Sequence, residues 1–191
     1  MLITKSAEVE ADLILEAQQG DRNAFGELVR RHHRQVVNVV YHMCGDVQLA
    51  EDAAQEAFVR AWLRLDSYRP LTTLRNWLYR IAVNAALDML RRERSTAEDI
   101  QSLALHDQQP GPETLLVQQE RAALVQAAIL SLTPASRTVL VLREYGELSY
   151  QEIANILEVP MGTVMSRLNY ARNRLRELLA EQLSPLEVEN G

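Results

Sequence analysis

Cysteine is nearly absent from the sequence, since Cys44 is its single example. One cysteine cannot form an intrachain disulfide, and no Cys or His cluster near it has the spacing of a zinc site. The sequence also lacks an apolar run of about 18 residues, the minimum for a membrane-spanning helix. Its first residues, MLITKSAEVEADL, lack the basic start and long apolar core of a signal peptide. We therefore expect a cytoplasmic protein with no membrane insertion, no metal and no cofactor.

Glycine and strand-forming patterns are scarce as well. The sequence has 7 glycines, and no alternation of apolar and polar residues is long enough to predict a β-strand. Ala, Leu, Glu, Gln and Arg are abundant, and these residues favour helix. The expected fold class is therefore all-α.

Lysine is also scarce: Lys5 is the one lysine among the 20 Lys and Arg residues, and the others are arginines. The chain as a whole is nevertheless acidic, with a formal net charge of −6. The planar guanidinium group of arginine suits phosphates and guanine edges better than the point charge of lysine. A GC-rich genome would produce the same bias. The arginine content alone therefore leaves nucleic-acid binding open.

The composition divides the chain into two helical segments and a polar connection. Residues 10–94 have dense apolar helical periodicity, whereas residues 95–120 contain five acidic residues, no Lys or Arg, and the helix-breaking sequence DQQPGPET. A helix is expected to resume before Glu120. Residues 121–183 are helical again, and residues 184–191 form a frayed tail. The prediction is two small helical domains joined by a flexible acidic linker.

The segment Ser149–Leu175 has the pattern of a helix-turn-helix motif. Ser149 and Glu152 have the spacing of a capping box, in which each side chain satisfies a free backbone N–H at a helix start. Pro160 and Gly162 predict the turn, and Thr163 is expected to cap the second helix.

The second helix of this motif has one apolar and one polar face when its residues are laid out at 100° each. Its apolar stripe, expected in the core, consists of Val164, Leu168, Ala171 and Leu175. Its opposite face carries Ser166, Asn169, Tyr170 and Asn173, with Met165, Arg172 and Arg176 on one flank and Arg167 and Arg174 on the other. Short polar side chains can reach base edges and flanking arginines can reach the phosphates of a major groove. The alternative is an ordinary amphipathic helix with a solvated polar face.

The segment GDVQLAEDAAQEAFVRAWLRLDSYR predicts a turn followed by a helix with an acidic face. Glu51, Asp52, Gln55 and Glu56 lie on that face near the helix N-terminus, where the helix macrodipole favours negative charge. The face is either a solubilising surface or a docking surface for a basic partner.

Residues 60–94 follow this acidic face and have a net positive charge, with eight arginines and only three acidic residues. Four aromatic residues interleave with these arginines, as in proteins that bind single-stranded nucleic acid. Trp62 and Trp77 are expected in the core, so the loop from Tyr68 to Arg75 is the better candidate for contact with nucleic acid.

The motifs of an enzyme do not occur. The sequence has no glycine-rich phosphate loop, metal-ligand cluster or nucleophile motif. His32, His33 and His42 lie on a predicted helix without a set of carboxylate partners and are interpreted as surface or core residues. A free-standing helix-turn-helix regulator is the alternative function, although such regulators usually dimerise on a palindrome and no dimerisation helix is evident.

Four motifs occur together in one order: LILEAQQGDRNAFGELVRRH, AEDAAQEAFVRAW, WLYRIAVNAALDMLRR and LTPASRTVLVLREYGELSYQEIANILEVPMGTVMSRLNYARNRL. In this order and spacing the sequence resembles the extracytoplasmic-function (ECF) sigma factors, small bacterial sigma factors that have only regions 2 and 4. The resemblance covers residues 12–179, apart from the linker. It implies a subunit that binds the RNA polymerase core and directs promoter-specific initiation.

The resemblance also implies three sets of site residues. The clamp helices of the largest polymerase subunit would be bound by Asp52, Gln55, Glu56 and Val59, and the polymerase flap would be a further contact. The −10 element would be captured and melted by Tyr68, Arg69, Thr72, Arg75, Asn76, Arg80, Asn84, Arg91 and Arg92. The −35 element would be read by Thr163, Met165, Ser166, Arg167, Asn169, Tyr170, Arg172, Asn173 and Arg176.

The sequence departs from the family pattern in both DNA-reading regions. Pro70 and Leu71 stand where Gly-Asp is frequent, Leu74 replaces an aromatic residue, and Met165 replaces a basic one. The promoter sequences of a relative are therefore not transferable to this chain. The resemblance further implies an anti-sigma factor as a partner.

Overall fold

The computed structural model describes the backbone of residues 2–99 and 113–183 and the side chains of residues 8–92 and 120–180. Every regular element in those ranges is helical, which confirms the all-α prediction. The helices are α1 (Leu2–Gln18), α2 (Arg22–Cys44), α3 (Val47–Arg64), α4 (Leu74–Asp99), α5 (Glu113–Ser131), α6 (Pro134–Glu144), α7 (Tyr150–Leu157) and α8 (Met161–Leu183), with a 3₁₀ turn at Leu65–Ser67. None of these helices is long and apolar enough to cross a membrane.

Local capping fixes where the first helices begin and end. The Asp21 carboxylate accepts hydrogen bonds from the backbone N–H groups of Asn23 and Ala24 at the start of α2, and Asp46 does the same for Leu49 at the start of α3. Gly45 ends α2 in the left-handed conformation, with φ of 80°, which a residue without Cβ adopts at little cost. The chain therefore reverses sharply between α2 and α3.

Helices α1 to α4 form one bundle around a tightly packed alanine-rich helix. The buried side of α3 consists almost entirely of small residues, which let α2 and α4 approach closely: Ala50, Ala53, Ala54, Ala57, Phe58 and Ala61. From α2 the core receives Leu28, Val36, Val39, Val40 and Met43. Trp62 and Trp77 are half-buried and pack against this core, as predicted.

Helices α5 to α8 form the second unit, which contains the helix-turn-helix. The capping box is confirmed, because the Ser149 side chain accepts from the Glu152 N–H and Glu152 accepts from the Ser149 N–H. The prediction that Thr163 caps the second helix was wrong. Helix α8 begins at Met161, and the N–H of Thr163 already donates to the Pro160 carbonyl at 2.9 Å. The turn depends instead on Glu158, which ends α7 in the left-handed conformation.

The two units pack against each other, which the composition did not predict. Helix α2 contacts α5 and α6, and α4 contacts α7. At the first contact the Arg137 guanidinium is buried and donates to the Met43 carbonyl of α2 at 2.8 Å, as well as to carbonyls at the end of α5. The His42 ring stacks on Tyr145 with ring centroids 3.5 Å apart.

The helices extend past the predicted domain limits. Helix α4 continues to Asp99, beyond residue 94, and α5 begins at Glu113, in line with the expectation that a helix resumes before Glu120. The remainder of the predicted linker and the predicted tail at 184–191 lie outside the described residues. The histidines also differ from expectation, since His32 pairs with Glu10 at 3.1 Å and His33 with Glu51 at 3.2 Å.

Candidate nucleic-acid interface

Helix α8 presents a continuous polar surface to solvent. Its predicted apolar stripe is confirmed: Val164, Leu168 and Ala171 are buried and Leu175 is half-buried against the core. The opposite side is exposed over about three helical turns and comprises Met165, Ser166, Asn169, Tyr170 and Asn173. Because only the apolar side of α8 is buried, the polar side that was predicted to contact base edges is accessible to solvent.

The arginines of α8 are held by weak surface contacts. Arg172 pairs with Glu144 of α6 at 2.8 Å, a hydrogen bond that raises the pKa of the guanidinium. Arg176 donates to Asn173 at 2.9 Å. Arg167 is half-buried, and Thr163 lies half-buried in the first turn of the helix. Exposed contacts of this kind exchange readily for phosphate oxygens, because each stabilises the protein by only about 0–1 kcal/mol.

The predicted −10 loop is partly folded into the protein. Tyr68 is buried, its ring lies 5.2 Å from that of Trp77, and its hydroxyl donates to the Thr72 carbonyl at 2.7 Å. Arg69 donates to the Asp66 and Tyr68 carbonyls. Leu71 is 95% exposed. Tyr68 therefore shapes the loop, while the neighbouring exposed backbone and side chains form its surface.

The predicted −10 residues of α4 face the second unit. Asn76 is 4% exposed, and its amide Nδ2 donates to Glu152 of α7 at 2.8 Å. Arg80 forms an ion pair with Glu158. Arg80, Asn84 and Arg91 line a cavity of about 340 Å³ together with α6, α7 and Arg167 of α8. Arg75 is half-buried and Arg92 is exposed.

Glu152 accepts hydrogen bonds from both units at this contact. Hydrogen bonds from Ser149 and then from Asn76 hold its pKa below the usual value. The carboxylate is therefore ionised near neutral pH. It serves two structural purposes, since one oxygen completes the capping box and the other accepts from α4.

A second candidate surface is an apolar groove between α2 and α3. The groove has a volume of about 610 Å³, and the predicted residues Asp52, Gln55 and Val59 line it. Glu56 lies outside the groove and pairs with Arg60 at 2.5 Å. The sequence interpretation missed the apolar residues of the groove, which are Phe25, Val29, Phe58, Trp62 and Leu63. Their helical spacing was the signal, because Phe25 and Val29 are four residues apart on α2 and Val59 and Leu63 are four apart on α3.

These features describe an all-helical protein with an exposed polar side on α8 and an apolar groove between α2 and α3, and comparisons with known proteins identify its class. The family model described as Sigma-70 region 2 matches residues 28–96, and the model described as Sigma-70, region 4 matches residues 122–175. The first match lies within the unit formed by α1 to α4, and the second lies within the unit formed by α5 to α8.

Comparison with individual proteins identifies the subfamily. The chain is 35% identical to the ECF RNA polymerase sigma factor SigW of Bacillus subtilis over 88% of this chain and 95% of that one. It is 37% identical to the ECF RNA polymerase sigma-E factor of Escherichia coli K12 over 91% of this chain and 94% of that one. The chain therefore belongs to the ECF sigma factors. It directs promoter recognition by RNA polymerase, and it is not an enzyme.

Solved structures agree with this assignment. The fold is similar to that of CnrH in complex with the cytosolic domain of CnrY, with a TM-score of 0.69, 26% identity and coverage of 91% of this chain and 98% of that one. It is also similar to the sigma factor RpoE of Bartonella quintana in complex with the anti-sigma factor NepR, with a TM-score of 0.65, 26% identity and coverage of 82% and 96%.

Proposed function

We propose that α8 reads the −35 element through the side chains named above, Thr163 to Arg176. The observation that carries this proposal is the division of α8 into a buried apolar stripe and an exposed polar surface. Asn169 and Ser166 at the centre of that surface are suited to hydrogen bonds with base edges, and exposed Met165 is suited to contact with a thymine methyl group. Arg172 and Arg176 lie where phosphates would pass.

The −10 element is assigned to the loop after the 3₁₀ turn and to the exposed side of α4. Exposed Thr72 and Arg69 in the loop and Arg80, Asn84 and Arg91 on α4 lie within one basic segment. A melted strand is bound by backbone electrostatics combined with base stacking. Buried Tyr68 supports the loop from beneath in this proposal, and Asn76 becomes available when α7 moves away.

The groove between α2 and α3 is proposed as the docking site for the polymerase core. Its apolar floor provides buried contact area, and Asp52 and Gln55 at its edge provide polar complementarity to a basic helical partner. Exposed Val59 and half-buried Trp62 are its central anchors. A subunit of RNA polymerase acts where the polymerase is, so the proposed location of this chain is the cytoplasm.

An anti-sigma factor is proposed as a regulatory partner. Support comes from the two similar solved structures, in which CnrH binds the cytosolic domain of CnrY and the sigma factor RpoE binds the anti-sigma factor NepR. The proposal for this chain extends only to that class of partner.

In vitro transcription tests the function and the −35 assignment together. The chain is mixed with RNA polymerase core and a DNA library in which both promoter elements are randomised. Specific initiation is expected from wild type, and a Ser166→Ala, Asn169→Ala double variant should select a changed −35 sequence while binding core normally. Failure of wild type to bind core, with tight binding of a palindrome by the free chain, would support the alternative of a free-standing regulator.

A further inference from the structure

A glutamine at the end of α1 holds the backbone at the start of the proposed −10 loop. The Gln18 side chain is half-buried, and its Nε2 group donates to the Leu65 carbonyl at 2.9 Å and to the Tyr68 carbonyl at 3.2 Å. A carboxamide NH₂ group has two hydrogens to donate, so these hydrogen bonds use both of them. One side chain therefore spans the 3₁₀ turn at Leu65–Ser67 and ties it to a helix that lies 47 to 50 residues earlier in the chain.

The end of α1 that carries Gln18 is itself fixed in place. Gln18 is the last residue of α1, and the preceding Ala17 is buried in the core. Gly20 then reverses the chain with φ of 95°, a left-handed value that glycine adopts at little cost, and Asp21 caps α2. The Gly20 N–H donates to the Ala17 carbonyl at 3.0 Å. The Gln18 side chain thus extends from a rigid position, which a residue that orients a functional loop requires.

Local hydrogen bonds shape the turn but do not fix its position on the bundle. The Tyr68 N–H donates to the Leu65 carbonyl at 3.0 Å, and the Arg69 guanidinium donates to the Asp66 carbonyl at 2.7 Å. Both bonds lie within one short stretch of chain and move with it. Burial of Leu65 and Tyr68 holds the turn on the core without a preferred direction. The two bonds from Gln18 add that direction, because a hydrogen bond requires alignment of donor and acceptor.

The loop beyond the turn has fixed ends and an exposed middle. Tyr68 is 5% exposed, its carbonyl accepts from Gln18, and its hydroxyl donates to the Thr72 carbonyl at 2.7 Å. Residues 69–73 are all exposed, and Leu71 among them is 95% exposed. The direction in which these exposed side chains point therefore follows from how the two ends of the loop are held, and Gln18 holds the first end.

We propose that Gln18 is a positioning residue for −10 recognition, because its two hydrogen bonds set the orientation of the loop at residues 69–73. The proposal rests on the proposed function, which assigns this loop to the −10 element. A loop that already has its binding conformation loses less conformational entropy when a melted strand binds. Gln18 stays half-buried and acts only through the loop. It also lies outside residues 28–96, which the region 2 model matches.

Gln18→Met and Gln18→Glu test the two hydrogen bonds. Methionine has nearly the length of glutamine and no N–H to donate, whereas glutamate places an acceptor oxygen against two carbonyl oxygens. Gln19→Met and Gln19→Glu are the matched controls, because Gln19 is the next residue, has the same side chain and is exposed. Each control makes the same chemical change at a position whose side chain, among the described residues, forms no hydrogen bond to the turn.

Holoenzyme with each variant is tested for initiation on promoters that have a randomised −10 element and a constant −35 element. Gln18→Met should reduce the ratio of initiation on the preferred −10 sequences to that on the unselected library about three- to tenfold, the effect of one or two hydrogen bonds. Gln18→Glu should reduce the ratio further. Core affinity and −35 preference should stay at wild-type values, as in the Gln19 controls. A variant that was only unstable would lower initiation on all −10 sequences by one factor and leave the ratio unchanged.

Hydrogen exchange of the free full chain measures the loop directly. Amides in a peptide spanning residues 65–73 should exchange faster in the Gln18 variants than in wild type, and amides of α8 should keep the wild-type rate. Unchanged exchange in this peptide, or a wild-type −10 ratio for Gln18→Met, would overturn the role of Gln18. Unfolding of both Gln18 variants would overturn it as well, by assigning the residue to stability.

An Arg69→Ala, Thr72→Ala double variant tests the assignment of the loop separately. Both side chains are exposed in the loop, so holoenzyme with this variant should select a changed −10 sequence while Gln18 is intact. An unchanged −10 preference would overturn the proposed function of the loop. A changed preference in the double variant, together with a wild-type ratio for Gln18→Met, would overturn only the positioning role.

Discussion

At the scale of the residue, the arginines of α8 that we propose to contact DNA have protein partners in the free chain. Arg172 pairs with Glu144, and Arg176 with Asn173, at normal hydrogen-bond distances. These contacts orient the side chains without burying them. Phosphate oxygens can therefore replace them without a large desolvation penalty.

Arg172→Ala should weaken promoter binding by holoenzyme about equally for all −35 sequences and reduce the slope of log affinity against log salt by roughly one. The reason is that a phosphate contact releases one counterion and reads no base. Titration of labelled promoter at several salt concentrations measures both effects. Arg30→Ala is the control, because Arg30 is an exposed arginine paired with Glu27 in region 2. A changed −35 preference with the wild-type salt slope would assign Arg172 to base reading instead.

Val59→Asp should reduce affinity for RNA polymerase core by about tenfold or more, since an exposed apolar residue that lines the proposed docking groove would become a charge. The fold should be retained because Val59 is exposed in the free chain. Leu15→Asp is the matched control, being an exposed apolar residue on α1 outside the groove. Fluorescence anisotropy with labelled chain measures the affinity, and equal losses in both variants would contradict this location of the docking site.

At the scale of the element, the helix-turn-helix depends on its caps more than on its turn residues. Helix α7 has eight residues and is too short to be stable alone. Its capping box and its buried Ile153, Ala154 and Ile156 compensate for that length. The same Glu152 that closes the capping box also accepts a hydrogen bond from Asn76 of α4, so the cap is part of the contact between the two units.

Ser149→Ala should lower the free energy of unfolding by about 1 kcal/mol, because the Glu152 N–H loses its acceptor at the helix start. Chemical denaturation of the full chain measures the change. Gln151→Ala is the control on the same helix, since its exposed side chain donates to Asn155 at 3.0 Å and takes no part in the capping box. A loss for Gln151→Ala as large as that for Ser149→Ala would show that the effect is not one of capping.

The contact of α2 with α5 and α6 should depend on pH through His42. Burial lowers the pKa of His42 below its ordinary value of 6.5, although the hydrogen bond to Gln126 acts in the opposite direction. The unfolded chain therefore binds more protons than the folded chain in this range, and stability increases with pH. This contribution is complete above about pH 6.5 and is lost as the pH falls through the lower folded value.

The unfolding free energy should accordingly be smaller at about pH 5.5 than at about pH 7.5. His42→Gln should reduce this difference without removing it, because burial also lowers the pKa of His32. Urea titrations of both proteins at the two pH values measure the difference. A variant with the same pH dependence as wild type would exclude His42 as a contributor.

At the scale of the whole molecule, the acidic net charge limits how strongly the chain binds DNA by itself. A formal charge of −6 weakens nonspecific attraction to DNA, which is largely electrostatic. The α4–α7 contact also engages Asn76 and Arg80 of region 2. The polymerase core would then supply most of the promoter affinity, and the chain would supply the selection.

The sequence by itself determined the helices, the capping box and the two faces of α8. These features depend on spacing within one helix, where 3.6 residues per turn relate position directly to direction. The four motifs also determined the family. Thr163 was misassigned because the left-handed Glu158, and not Gly162, ends the preceding helix.

The tertiary structure alone decided which surfaces of the two regions meet. Asn76 and Glu152 are 76 residues apart, and Arg137 reaches a carbonyl 94 residues away. No periodicity within a helix encodes such pairs, because they depend on how completed units fit together. The same holds for the groove between α2 and α3, whose floor combines side chains from two helices. Hence the sequence predicted which residues of α8 and α4 are suited to bind DNA, whereas the fold decided that Asn76 of α4 is buried against α7 and that the polar side of α8 is exposed.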